Sequence, residues 1–319
     1  MKKITLRSGD QIPALGLGTW KADESTYPAI REAIKIGYRH FDCALRYENE
    51  KEVGRAIRDA IKEDQIDRQS IWLTSKLWNN AHLSHDVRPG LEESLMNLGM
   101  DYLDLYLMHW PVALKPDVIF PDKGSDFLSL EQAPLIDTWR ALEECVDAGL
   151  CRNIGVSNFS IKKLKDLRSS ARIAPACNQV ELHPFLQQKE LVEYCLGERI
   201  AVTAYSPLGS RDRPARLHQD DEPSLLEHPE IRSIAGIHDC TAAQVLIVWA
   251  LQRGTSVIPK SANPNRLREN YQAQNITLNE DDMKRIGNLD RHYRYIHGAF
   301  WTIDGSPYTL TTLWDEPIS

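Results

Sequence analysis

Short apolar runs alternate with helical patterns along most of the chain, and this rhythm restricts the fold more than any other feature. Candidate strands fall at residues 14–17, 40–43, 72–76, 102–108, 153–156, 178–180, 201–205 and 257–258, and a helical segment follows nearly every one. Asn49 precedes Glu52 by three, the spacing of a capping box, and Val53, Ile57, Ala60 and Ile61 then recur on one face. Ser84 opens a segment with Leu91, Leu95 and Leu98 at helical spacing, stopped by Gly99. Thr241 and Gln244 form a second capping box on a helix that ends at Gly254, and Asn263-Pro264 places a cap before a proline at the first helical position.

Such alternation implies a parallel sheet with helical crossovers. Eight units in 319 residues favour a closed α/β barrel, the (β/α)8 TIM barrel, over an open doubly wound sheet. No G-x-G-x-x-G follows a strand, and Gly16-Leu17-Gly18 is too short to count as one. Residues 2–15 read as an N-terminal hairpin turning at Ser8-Gly9-Asp10 and capping one end of the barrel. Residues 112–135 and 209–228 are long connections without clear periodicity, expected to shape the active-site face. The tail beyond His292, with Tyr293, Tyr295, Phe300, Trp301, Tyr308 and Trp314, is expected to drape over that opening. No Pro/Gly/Ser linker interrupts the chain, so residues 1–319 are expected to form a single domain.

Composition narrows the function. Hydrophobic residues make up 42% and charged residues 26%, enough for a sizeable core and inconsistent with disorder. The net charge of −7, without long basic runs, argues against nucleic acid or an anionic membrane as partner. The strongest apolar run, 245–251, falls far short of the roughly 20 residues of a membrane span, and the polar N-terminus excludes a signal peptide. Cys43, Cys145, Cys151, Cys177, Cys195 and Cys240 show no zinc spacing and read as reduced thiols of a cytoplasmic protein.

In a parallel barrel, chemistry sits where strands end. Asp42 ends the second candidate strand, with Tyr47 five residues on; Lys76 ends the third and His109 the fourth. Singly, each has an ordinary structural explanation: a helix cap, a packed ring, a solvated ammonium, a satisfied imidazole. Together, at the ends of three consecutive strands, they are expected to converge on one pocket. A tyrosine hydroxyl, with an ordinary pKa of about 10, is a weak acid at neutral pH. An adjacent ammonium is expected to lower that value, and a carboxylate holds the ammonium in place. Asp42, Lys76 and Tyr47 thus read as a proton relay, with His109 donating a hydrogen bond to a carbonyl oxygen. None of the four forms a covalent intermediate or binds a metal in this reading, so the electron source must be a cofactor.

These residues sit in strings that resemble the aldo-keto reductases: Gly37-Tyr-Arg-His-Phe-Asp-Cys-Ala44, Tyr47-Glu-Asn-Glu50, Ser75-Lys-Leu-Trp78 and Asp101-Tyr-Leu-Asp-Leu-Tyr-Leu-Met-His-Trp-Pro111. Gly155-Val-Ser-Asn-Phe159, Asn178-Gln-Val-Glu181, Ala204-Tyr-Ser-Pro-Leu-Gly-Ser210 and Ile258-Pro-Lys-Ser261 continue the match in the family's order, from residue 12 to about 275. The resemblance implies a (β/α)8 barrel that reduces a small-molecule aldehyde or ketone with NADPH favoured and NADH possible. It implies Tyr47 as general acid, Lys76 and Asp42 as its tuning partners, and His109 as the carbonyl-orienting donor. Ser157, Asn158 and Gln179 match the residues that hold the carboxamide, and Tyr205 the ring that stacks on the nicotinamide. Thr19 and Trp20 are further cofactor neighbours, Ser206, Leu208 and Ser210 match the pyrophosphate loop, and Asp212 helps to close it. Lys260, Ser261, Asn263 and Arg266 match positions around the 2′-phosphate, and Glu269 and Asn270 match adenine contacts. Two cations, a hydroxyl and a helix N-terminus suit a dianionic phosphate.

Trp20, Trp78 and Trp110 match the walls of an apolar substrate channel, with packing as the competing reading for Trp78. The tail is reminiscent of members that reduce sugars or sugar phosphates, and Lys115, Arg211 and Arg213 are candidate contacts for a substrate phosphate. The alternatives are a nucleotide-binding barrel acting as a regulatory or structural subunit, and a barrel hydrolase using Asp42 and His109. The resemblance implies a monomer by default and permits a dimer.

Overall fold

The computed structural model describes residues 2–218 and 221–316. An antiparallel hairpin, β1 (Lys3–Thr5) and β2 (Gln11–Pro13), opens the chain. Eight strands then form one parallel sheet: β3 (Leu17–Gly18), β4 (His40–Asp42), β5 (Trp72–Leu77), β6 (Leu103–Met108), β9 (Cys151–Ser157), β10 (Cys177–Glu181), β11 (Ala201–Tyr205) and β12 (Ser256–Val257), neighbours in that order. A parallel bridge between Leu15 and Val257, with Val257 N donating to Ala14 O at 2.8 Å and Gly16 N to Val257 O at 2.9 Å, joins the outer strands and closes the barrel.

The seam explains why the first barrel strand sits later than expected. A Cβ on Gly16 would lie 2.6 Å from His40 Nδ1, and one on Gly18 2.9 Å from Ile258 O. Glycine at 18 lets the two edges approach this closely, and glycine at 16 leaves room for the His40 ring of the neighbouring strand. Residues 14–16 therefore serve the closure, while regular pairing begins at Leu17.

Helices α1 (Thr26–Ile36), α2 (Glu50–Glu63), α3 (Ser84–Leu98), α4 (Leu135–Asp147), α5 (Ile161–Ser170), α6 (Lys189–Gly197), α7 (Pro229–Ile237), α8 (Ala242–Gln252), α9 (Pro264–Gln272) and α10 (Glu280–Gly287) follow the strands. The Thr241–Gln244 capping box forms, and Asn263 Oδ1 accepts from the backbone of Asn265 and Arg266 at 3.0 and 3.1 Å. The expected Asn49–Glu52 box does not form. Asn49 is buried, and its amide instead donates to Thr19 O at 2.8 Å, tying the start of α2 to the end of β3. The apolar run at 245–251 lies buried in α8, and no single helix among the described residues is long and apolar enough to cross a membrane.

The hairpin packs Leu6 and Ile12 against Trp72, Cys177 and Ala201 at the N-terminal ends of the barrel strands. The opposite end carries the long loops. Residues 112–135, expected to be irregular, contain a small antiparallel ribbon, β7 (Ala113–Leu114) and β8 (Phe127–Leu128). The tail does cover this end: Tyr308 Oη accepts from Ala113 N at 2.9 Å and donates to Leu128 O at 2.7 Å, and Trp301 packs on Trp78 and Trp110. Two anchors hold it. Glu181 accepts from Tyr295 N at 2.7 Å and Ile296 N at 2.8 Å, and Lys163 grips Thr312 O, Leu313 O and the Asp315 carboxylate beside α11 (Leu310–Trp314). Residues 317–319 of the tail, and 219–220 of the 209–228 loop, lie outside the described residues.

Three buried histidines make the fold acid-sensitive. Burial lowers His82 to about 3 and His40 to about 4, and holds His109 well below the usual range, with Lys76 and His82 adding to the last. Each folded pKa lies below the unfolded value of about 6.5, so the unfolded chain binds more protons in between. Stability is present above pH of about 6.5 and falls as pH drops toward 4, by about 1.4 kcal/mol per pH unit for each histidine. Glu50, raised to about 7 by burial, acts in the opposite sense but is outnumbered. The melting temperature should therefore drop between pH 7 and pH 5, with a shallower drop in His82→Asn. A melting temperature independent of pH over this range would contradict the assignment.

Candidate active site

Strand polarity brings Asp42, Lys76 and His109 to the same end of the barrel, at the C-terminal ends of β4, β5 and β6. Register puts Asp42 level with Thr74 and Lys76 level with Leu107, so the three side chains come from adjacent strands, each two residues beyond the level of the one before. Tyr47 arrives from the short turn before α2. Lys76 Nζ lies 2.5 Å from Asp42 Oδ1, 2.8 Å from Cys43 O and 3.2 Å from Tyr47 Oη. All three ammonium donors thus have acceptors. Asp42 Oδ2 accepts from Gln179 Nε2 at 2.6 Å, and Asp42 O accepts from Thr19 Oγ1 at 2.9 Å.

Electrostatics follow from this geometry. Burial works against the Lys76 ammonium, but Asp42 and Tyr47 outweigh it and hold its pKa above the ordinary lysine value. Tyr47 corrects a sequence expectation. Burial raises its pKa above the ordinary value; Lys76 pulls the other way, as expected, but does not prevail. The hydroxyl therefore stays protonated at neutral pH. Since Lys76 donates to the phenolic oxygen, the Tyr47 proton is free to point elsewhere. His109 is a neutral imidazole whose Nδ1 is buried without a hydrogen-bond partner, and its ring meets those of Tyr47 and Trp78 edge-on, with centroids 5.9 and 5.1 Å away.

Tyr47, His109 and Asp42 open onto one cleft of about 1500 Å³, larger than a usual single-ligand pocket. Lys76 lies behind this wall, fully buried. Ser157, Asn158, Gln179 and Tyr205 line the cleft as a connected set. Ser157 Oγ donates to Gln179 O at 2.8 Å, Asn158 Nδ2 donates to His109 O at 3.0 Å, and Tyr205 Oη donates to Asn158 Oδ1 at 2.8 Å. Thr19, Trp20, Ser206, Leu208, Ser210 and Asp212 also line the cleft. Lys260, Ser261, Asn263, Arg266, Glu269 and Asn270 line it around the N-terminus of α9. Asp212 bridges the cleft, its carboxylate accepting from Lys260 Nζ at 2.8 Å and its backbone O from Lys21 Nζ at 2.6 Å.

Trp20, Trp78 and Trp110 all reach the cleft wall. Trp78 also packs on Phe120 and Trp301 and donates to Ile119 O at 2.8 Å, so packing accounts for part of its place in the wall. The proposed phosphate contacts fare differently. Arg211 lines the cleft but pairs with Glu227. Lys115 is exposed on the β7–β8 ribbon, and the cleft lining does not include it. Arg213 is buried, bound to Glu222 and the carbonyls of Ser210 and Leu217, with Tyr295 stacked on it, so it holds the loop together instead of facing substrate. Sequence reasoning missed Lys21, Arg46, Phe120 and the tail residues Ile296 and Ile303, all on the cleft, where Phe300 of the tail joins them as expected. Arg46, beside Tyr47 and stacked on Phe120 at 4.1 Å, was the one legible from position.

A cleft this long suits an extended dinucleotide. Its lining includes hydroxyls and amides, the Tyr205 ring, and cations beside a helix N-terminus. Fold and site define the class of a nicotinamide-dependent carbonyl reductase. The comparisons with known proteins agree. A family profile described as the Aldo/keto reductase family matches residues 14–291. The chain is 55% identical to "Aldo/keto reductase slr0942" of Synechocystis, over 99% of this chain and 97% of that protein. It is 44% identical to "Aldo-keto reductase family 1 member A1" of Xenopus tropicalis (92% of this chain, 90% of the relative) and 42% identical to that of Bos taurus (95% and 93%). The chain belongs to the aldo/keto reductase family. It is an oxidoreductase that reduces small-molecule carbonyl compounds with a nicotinamide cofactor.

Proposed function

We propose that Tyr47 protonates the oxygen of an aldehyde or ketone held by His109, with Lys76, kept in place by Asp42, stabilising the tyrosinate that remains. The observation that carries this is the 3.2 Å contact between Lys76 Nζ and Tyr47 Oη at the wall of the cleft, beside His109. The nicotinamide cofactor supplies the hydride when bound. Tyr47, kept protonated by burial, has a free O–H to donate. As its proton leaves, the ammonium 3.2 Å away meets the developing charge, and Asp42 and Cys43 O prevent Lys76 from following the proton. A neutral His109 with its proton on Nε2 donates to the same carbonyl oxygen and fixes its orientation. The aromatic wall of Trp20, Trp78 and Trp110 excludes water.

Ser157, Asn158 and Gln179 are proposed to hold the carboxamide and Tyr205 to stack on the nicotinamide. Ser206, Leu208, Ser210 and Asp212 would hold the pyrophosphate, and Glu269 and Asn270 the adenine. NADPH is preferred over NADH in this reading. The support is the convergence of Lys260, Ser261, Asn263 and Arg266 on the N-terminus of α9, where two cations meet a helix dipole. Lys260 is shared with Asp212, whereas the Arg266 guanidinium has no side-chain partner among the described residues. The chain is proposed to act as one barrel domain, as a monomer in the cytoplasm, with its cysteines as free thiols. An aldose, a sugar phosphate or another aldehyde is the proposed substrate. A purely structural or regulatory role is not favoured, because all four reactive groups are present and in contact.

Two measurements test this. In Tyr47→Phe, kcat should fall by at least about 100-fold, the usual size of a general-acid contribution, while NADPH still quenches protein fluorescence at the wild-type concentration. Activity within a few-fold of wild type would refute the donor assignment. In Arg266→Ala, the Kd for NADPH should rise about tenfold or more, as expected for a charge-assisted contact, while that for NADH changes little. Equal weakening of both cofactors would refute the phosphate assignment.

A further inference from the structure

We infer that Glu50 is a positioning residue for the reaction: its carboxylate is a strut that fixes Tyr47 against Lys76. Glu50 is the first residue of α2 and lies three positions after Tyr47. Ser75 is the residue before Lys76 on β5. Neighbouring side chains on a strand point to opposite faces, so Lys76 turns into the barrel while Ser75 turns toward the helices. There Ser75 Oγ donates to Glu50 Oε1 at 2.5 Å, in a fully buried bond. One strand thus carries the ammonium on one face and the anchor of the tyrosine-bearing segment on the other. The 3.2 Å spacing between Lys76 and Tyr47 is set across this joint.

A second tie restrains the same segment from the other side. Asn49 Nδ2 donates to Thr19 O, and Thr19 in turn donates to Asp42 O, so residues 47–50 are bolted to both β3 and β5. The choice of residue argues for function over stability. A carboxylate buried at 2% exposure is costly there, and its pKa rises to about 7 because burial outweighs the help of Ser75, Ser94 and Asn97. An apolar residue would fill the space at lower cost. What the carboxylate adds is a short, directional bond between two reactive elements. Misplacing a reacting group by about 1 Å is enough to cost 100-fold in rate.

The inference rests on Tyr47 as proton donor. The test compares wild type, Tyr47→Phe, Glu50→Ala, Glu50→Gln and Ser75→Ala, using NADPH and one aromatic aldehyde. For each, kcat, KM, the solvent deuterium isotope effect, NADPH affinity by fluorescence quenching and the melting curve are measured. Glu50→Ala and Ser75→Ala should lower kcat about tenfold or more and enlarge the solvent isotope effect, as proton transfer becomes limiting, with NADPH affinity within twofold of wild type. Glu50→Gln keeps an acceptor oxygen for Ser75 and should recover most of kcat. The strut is refuted if Glu50→Ala, folded at the assay temperature, keeps kcat within twofold and an unchanged isotope effect. It is also refuted if Glu50→Gln is as impaired as Glu50→Ala. If Tyr47→Phe itself stays active, the donor assignment fails first and the strut has nothing to position. If only Tyr47→Phe is impaired, the strut alone fails.

Discussion

Deep in the barrel a lysine ammonium and an aspartate carboxylate sit 2.5 Å apart, cut off from water. Burying two charges is expensive, and a lone pair of this kind seldom repays the loss of hydration. Here the remaining valences are filled: Lys76 also donates to Cys43 O and Tyr47 Oη, and Asp42 also accepts from Gln179 and carries Thr19 on its backbone carbonyl. The pair thereby links β4, β5, the turn before α2 and β10. Much of the rest of the active-site face is arranged around it. The tyrosine stays protonated because burial outweighs the ammonium beside it, yet the ammonium stays 3.2 Å from its oxygen, where the proposed proton transfer needs it.

The upper rim depends on a different buried carboxylate. Glu181 ends β10, a position where a barrel enzyme often keeps a reacting group, but both oxygens are spent on the backbone of Tyr295 and Ile296 and on His183. Its job is to pin the tail, whose Ile296, Phe300 and Ile303 then complete the apolar wall of the cleft. Lys163 and Asp315 hold the far end of the same segment. The Asp42–Lys76–Tyr47 contacts and the tail's part of the cleft wall are thus held by separate anchors.

How much of this the sequence discloses depends on the range of the interaction. The strands of the barrel read directly as apolar runs, and the placement of Asp42, Lys76 and His109 at their ends follows from strand polarity alone. The reactive quartet was legible for that reason. The cleft residues from Ser157 to Asn270 were legible through family likeness, since Tyr205 by itself looks like core. Contacts between distant segments were not legible. Asn49 looked like a helix cap, but its amide is claimed by Thr19, 30 residues earlier. Arg213 was a candidate for a substrate phosphate, but Glu222 and Tyr295 hold it within the fold. The sign of the Tyr47 shift also escaped, because it turns on how much solvent the packed helices exclude.

The most direct test of the account is the turnover of Lys76→Met with NADPH and a simple aldehyde, measured beside its cofactor binding. Methionine keeps the length of the side chain and removes the charge. In this variant kcat should fall by at least about 100-fold, the scale of a lost electrostatic contribution in a buried site, while NADPH still binds. Turnover within a few-fold of wild type in a folded variant that binds NADPH normally would contradict it.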